Sequence, residues 1–244
     1  MFVDYFSYEN PGDPFSLFSA SHLIMLGIGV LFVITFVVFG KYIRNHSLLH
    51  TWVRYILIAV LLLSEATLNL WYLTAGEWDV RETLPLQLCS LSLLMSMVML
   101  VTRSEKWFEI VYFLGIGGAL QALMTPELFY DFPHYRYFHF FIAHIFIILA
   151  SIYMIVVEKK RVTIHSVWRT MLVLNGIAVV IFFFNRWIGA NYMFLAHKPA
   201  NPSLLDYLPE FPWYILWLEI IAAFIFLLLY LPFLLIKKRD SKDI

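Results

Sequence analysis

The chain has 244 residues, of which 61% are hydrophobic, 18% aromatic and 14% charged. Soluble domains average roughly 45–50% apolar and about 25% charged, so an ordinary cytosolic enzyme, a disordered chain and a disulfide scaffold are excluded and an integral membrane protein is left. The 17 Lys and Arg balance 17 Asp and Glu, which leaves no basic excess to hold nucleic acid.

In chain order, apolar stretches of spanning length fall at 20–40, 52–74, 85–102, 108–124, 138–157, 169–188 and 213–236. They predict an all-α fold: one polytopic membrane bundle over residues 1–244, with seven transmembrane helices of which the third and fourth are short. Pro85 is the expected first residue of the third. Two segments outside the spans have any size, the stretch up to Ser19 and the one from Ile188 to Pro212. The latter is rich in aromatic residues and Pro and is expected to lie as an ordered cap on the membrane face. Asp4, Glu9 and Asp13 do not make the positive n-region of a secretory signal peptide.

Thirteen of the 17 Lys and Arg residues fall on one side of this layout, and Arg81, Arg136, Arg186 and Lys198 fall on the other. The positive-inside bias then places the N-terminus outside and the C-terminus in the cytoplasm. A multi-pass protein of the cell membrane is expected. The run Lys237-Lys238-Arg239, with Lys242 beyond it, reads as an anchor on anionic lipid.

Polar side chains inside spans are costly and face the bundle interior. Glu65 and Asn69 share a face of the second span; Gln87, Cys89, Ser92 and Ser96 lie in the third; Gln121, His144 and Glu219 lie in the fourth, fifth and seventh; Asn175 and Arg186 share a face of the sixth. Counted at about 1.5 Å per residue, Glu65, Cys89, His144 and Glu219 fall in the outer half of the bilayer. A polar cavity is expected there, above inner halves made almost entirely of Leu, Ile, Val, Phe and Met. Gln121, Asn175 and Ser96 read first as interhelical glue. Arg186 is the basic group placed to pair with Glu65 or Glu219, in a structural or a functional ion pair. The cluster Gly115, Gly117, Gly118 and Ala119 reads as close helix packing.

The single cysteine rules out an intramolecular disulfide. Cys89 is either a small packing residue or a nucleophile, favoured as thiolate by its place near a helix N-terminus. His144, at matching depth, has the chemistry to take the thiol proton and return it to a leaving group. Gln87, Asn69 or a backbone N–H would stabilise an oxyanion. A sulfur within about 4 Å of a ring nitrogen is the geometric sign of such a pair. His22, His134 and His197 fall at or near the outer surface with no metal-ligand spacing, so neither a metal nor a cofactor is expected.

The segments Leu84-Pro85-Leu86-Gln87-Leu88-Cys89-Ser90-Leu91, Arg136-Tyr137-Phe138-His139-Phe140-Phe141-Ile142-Ala143-His144 and Asn191-Tyr192-Met193-Phe194-Leu195, followed by Lys198-Pro199 and Ser203-Leu204-Leu205-Asp206, resemble the YwaF-type bacterial integral membrane family over essentially the whole chain. That family is similar to a eukaryotic multi-pass acyltransferase of ether phospholipids that uses a Cys and a His, and more distantly to membrane hydrolases of fatty-acid esters. The resemblance implies catalytic roles for Cys89 and His144. Membrane phospholipids or lysolipids become the expected partners, and association into a homo-oligomer is left open. Glu65, Asn69, Gln87, Arg186, Asn191 and Glu219 become orienting or substrate-binding candidates. The rival expectation is a transporter or small-solute binding protein using Glu65 and Glu219 in the outer cavity; a third is a sensor or accessory protein without catalysis.

Overall fold

The structure, a computed structural model, describes residues 5–9, 14–199 and 204–240. Asp4, Asp13, Ser203 and Lys242 lie outside the described residues, as do the side chains of Lys237, Lys238 and Arg239.

The described residues form seven α-helices and two short 3-10 turns, with no strand among them. The helices are α1 (Ala20–Asn45), α2 (Ser47–Ala75), α3 (Leu88–Thr102), α4 (Glu105–Met124), α5 (Tyr135–Val156), α6 (Ile164–Ile188) and α7 (Trp213–Asp240). All but α3 are long and apolar enough to cross a membrane. At 15 residues, α3 rises about 22 Å, short of the roughly 30 Å hydrocarbon core.

The ends have local causes. Ser19 caps α1 by accepting from His22 N at 3.3 Å, and Thr163 and Ser166 cap α6 reciprocally. Gly76 and Gly189 close α2 and α6 with φ of 78° and 72°, a left-handed conformation that glycine adopts without strain. Pro85 is not the first helical residue expected of it. Leu84 to Leu86 form a turn (Leu86 N to Leu84 O, 2.7 Å), extended Gln87 is the N-cap, and the helix begins at Leu88. Proline's fixed φ suits a turn as well as a first helical position.

α4 and α5 form the centre. α3 packs on α4, α2 and α5; α1 packs on α5 and α2; α6 and α7 pack on α4 and on each other. The outer faces of the peripheral helices are apolar, with Val38, Leu172 and Val180 more than half exposed, as a lipid-facing surface requires. The glycines of α4 do mark close packing. A Cβ on Gly115 would stand 3.0 Å from Ile147 Cγ2 on α5, and one on Gly117 would stand 3.3 Å from Ile225 Cγ2 on α7.

The two ends of the bundle differ. At the loop-rich end, residues 5–8 lie as a strap across the ends of α2 and α5. Four successive carbonyls are taken: Tyr5 O by Tyr135 N (2.8 Å), Phe6 O by Trp71 Nε1 (2.7 Å), Ser7 O by His134 Nε2 (2.9 Å) and Tyr8 O by the Tyr130 hydroxyl (2.6 Å). At the opposite, basic end, Arg169 Nη1 donates to buried Glu109, and His50 Nε2 meets Glu158 Oε1 at 3.0 Å. The nearly apolar inner half expected here thus contains one buried carboxylate, Glu109, which Arg169 on the facing helix pairs. His22 and His134, expected near the surface, are buried. His22 receives Phe18 N on Nδ1 (3.0 Å), and its Nε2 meets Leu123 O (2.8 Å).

Candidate functional site

Cys89 is the second residue of α3, half-buried and a free thiol. Its place in the first turn puts it at the positive end of the helix dipole. Ser92, one turn on, and Ser96, two turns on, are buried.

His144 is buried within α5. Its Nδ1 donates to Phe140 O at 2.7 Å, and the Phe140 ring centroid lies 4.3 Å from its own. A carbonyl only accepts, so Nδ1 carries the proton and Nε2 is the basic nitrogen of the neutral ring. That Nε2 is buried without a hydrogen-bond partner. Cys89 makes no hydrogen bond among the described residues either. The predicted pair therefore stands on neighbouring packed helices with both reactive atoms free, and no hydrogen bond joins them.

α2 supplies the carboxylate. Asn69 Nδ2 donates to Glu65 Oε1 at 3.2 Å and to Glu65 O at 3.0 Å, and the Ser90 hydroxyl, next to Cys89 in the chain, faces the same carboxylate. α5 reaches the same stretch of α2: His139 Nε2 donates to Ser64 O at 3.0 Å, and His139 Nδ1 accepts from Arg136 Nη1 at 2.9 Å. The Arg136 guanidinium also lies 5.7 Å from the Trp71 ring centroid. Glu65 and Asn69 thus face α3 at Ser90, and the Arg136–His139 pair of α5 reaches the same stretch of α2 at Ser64.

The remaining predicted residues stand elsewhere. Glu219 accepts from Asn175 Nδ2 at 2.9 Å across the α6–α7 contact, so Asn175 acts as interhelical glue. Arg186 pairs with neither Glu65 nor Glu219, and the ion pair expected of it is corrected. It is exposed in the last turn of α6, about eleven residues and roughly 16 Å along the helix from Asn175. It borders a cavity of about 340 Å³ lined also by Phe182, Asn185, Ala196 and Phe211.

Gln87 and Asn191 build the cap. Gln87 Oε1 accepts from Met193 N at 2.9 Å, and Asn191 folds its own loop by accepting from Ala196 N (3.0 Å) and His197 N (3.2 Å). Buried Tyr192 joins this cap to the approach of α3: its hydroxyl donates to Val80 O (2.8 Å) and accepts from Leu84 N (2.9 Å). Burial pushes that phenol above the usual tyrosine range, which keeps it protonated for both bonds. Asn185 and Tyr192 escaped the sequence reading. The legible signal was a polar residue one turn before a helix-terminating glycine, followed by a tyrosine in a long connection.

These features define a multi-pass helical membrane protein in which polar side chains of α2, α3 and α5 face one another between the packed helices. The sequence pattern of the TMEM164 family matches residues 17–230, and the chain belongs to that family. An uncharacterized protein of Treponema pallidum (strain Nichols) is 25% identical over 223 residues, covering 90% of each chain. No solved structure matches.

Proposed function

We propose that the protein is a lipid-acyl enzyme of the cell membrane, with Cys89 as nucleophile and His144 as base and then acid. The observation that carries this reading is the state of His144. Its Nδ1 is locked to Phe140 O, and its Nε2 is buried and bare, beside a helix whose first turn carries the free thiol. A buried acceptor with no partner costs about 1–3 kcal/mol, a cost that a proton-transfer role explains. No Sγ–Nε2 hydrogen bond is formed, and in this reading the contact tightens when substrate binds. The resemblance of the segments around Cys89 and His144 to the YwaF-type family, and through it to a Cys/His acyltransferase, points the same way.

In this reading the thiol attacks a phospholipid ester and the acyl group passes to a lysolipid or to water. The basic end of the bundle faces the cytoplasm and the loop-rich end faces outward. Glu65 and Asn69 orient the first turn of α3 through Ser90. The transport alternative gains no support, since Glu65 and Glu219 contact different helices on different faces. Purified protein incubated with mixed phospholipids and lysophospholipid, followed by mass spectrometry, should redistribute acyl chains. Cys89→Ala and His144→Ala should each abolish this, and variants that match the unaltered protein would remove the dyad.

A further inference from the structure

Ser92 differs from most of the hydroxyl side chains of the helices. Thr35, Thr67, Ser96, Thr102 and Thr170 each fold back and donate to the carbonyl four residues earlier, at 2.7–2.8 Å, the usual way to satisfy a hydroxyl in a helix. Ser92 is 2% exposed, and its Oγ has no partner at all. The buried hydroxyl makes no bond back to its own helix. It lies three residues after Cys89, so the two share a face of α3 about one turn apart. Of the side chains named as oxyanion donors, Asn69 Nδ2 is held by Glu65, and Gln87 is tethered through its Oε1, which accepts from Met193 N.

We propose that the Ser92 hydroxyl is a further catalytic group, the hydrogen-bond donor to the carbonyl oxygen of the lipid ester attacked by Cys89. The proposal rests on the lipid-acyl reading and adds to it the group that receives the developing charge. His144 Nε2 takes the thiol proton, and the sulfur forms a bond to the ester carbon. The C=O π pair moves onto oxygen, where Ser92 donates to it. As the pair returns, the ester C–O bond breaks and the leaving alkoxide takes the proton from His144 Nε2, leaving a lysolipid and an acyl thioester on Cys89. The hydroxyl of an acceptor lysolipid, or water, then attacks the thioester. It gives its proton to Nε2, the C–S bond breaks, and the proton returns to the thiol. Both tetrahedral intermediates place an oxyanion at the same spot, so one donor serves both halves.

The test uses the full chain in lipid nanodiscs, with Ser92→Ala and the shape-matched pair Ser92→Thr and Ser92→Val. Two readouts are needed: acyl transfer from phospholipid to lysophospholipid, and the rate at which iodoacetamide alkylates the single cysteine. Alkylation needs the thiolate but forms no oxyanion. Loss of an oxyanion donor costs on the order of 10²–10³ in kcat. Ser92→Ala and Ser92→Val should therefore lose about 10²-fold or more in kcat with KM and alkylation rate unchanged, and Ser92→Thr should retain activity. Ser151→Ala serves as control. Ser151 Oγ is also buried and bare, but it stands two turns from His144, roughly 10 Å away, beyond reach of the reacting atoms. Equal kcat in Ser92→Val and Ser92→Thr overturns the proposal and leaves the dyad standing, as does a fall in alkylation that parallels the fall in kcat. Activity surviving in Cys89→Ala, or none in the unaltered chain, overturns the lipid-acyl reading and this proposal with it.

Discussion

Asn185 and Tyr192 hold each other by two hydrogen bonds, Asn185 Nδ2 to Tyr192 O at 2.9 Å and Tyr192 N to Asn185 Oδ1 at 3.0 Å. Both residues are buried, so the end of α6 and the cap are fixed as one piece. Leucine at 185 would leave one buried N–H and one buried carbonyl unpaired. Each such loss costs about 1–3 kcal/mol. Asn185→Leu should lower stability by about 3 kcal/mol, read as a fall in the urea midpoint in detergent, with helix content unchanged in the folded baseline.

The strap at the loop-rich end depends on a phenol. Tyr130 donates to Tyr8 O at 2.6 Å, stacks on His134 with centroids 4.3 Å apart, and is pushed up to about 12, chiefly by burial. Its folded-state value lies above that of a free tyrosine near 10. The stabilisation is therefore complete below about pH 10 and is lost as pH rises toward about 12. Tyrosinate absorbance should show one late-titrating group that is absent in Tyr130→Phe. The same variant should expose residues 5–9 to protease at neutral pH, with a stability loss of about 1 kcal/mol.

The Arg169–Glu109 pair ties α6 to α4 at the basic end. Glu109 is buried while the Arg169 side chain is half exposed, so removing the arginine strands the carboxylate. Arg169→Met should cost about 2–3 kcal/mol, Glu109→Gln less, and the double variant should recover part of the first loss. A double-mutant cycle on unfolding midpoints measures the coupling.

The helices were legible because hydropathy alone decides which stretches can sit in a bilayer, and each predicted span overlaps one helix. What escaped was set by distant contacts. Pro85 suits a turn and a helix start alike, and the choice fell to Tyr192, which holds Leu84 N from more than 100 residues away. Helical periodicity put Asn175 and Arg186 on one face but could not say that Glu219 would meet Asn175 and leave Arg186 at the rim. Glu109 and Arg169 each look like charges near a span end, and only the α4–α6 contact makes them a pair. For the candidate site, residue types and approximate depth were readable. The hydrogen bond that orients His144, and the Ser92 hydroxyl left without a partner, depend on packing that no spacing encodes.

The shortness of α3 has a geometric consequence for the membrane. With Arg103 at one bilayer surface, a helix of 15 residues ends roughly 8 Å before the other edge of the hydrocarbon. The turn at 84–87 then dips below the headgroups as a re-entrant stretch, a conformation that lipid tolerates only where protein covers its backbone. Tyr192 and the Gln87–Met193 bond form part of that cover. On that placement the free thiol, on the second residue of the helix, lies roughly 8 Å inside the hydrocarbon edge, recessed from bulk water.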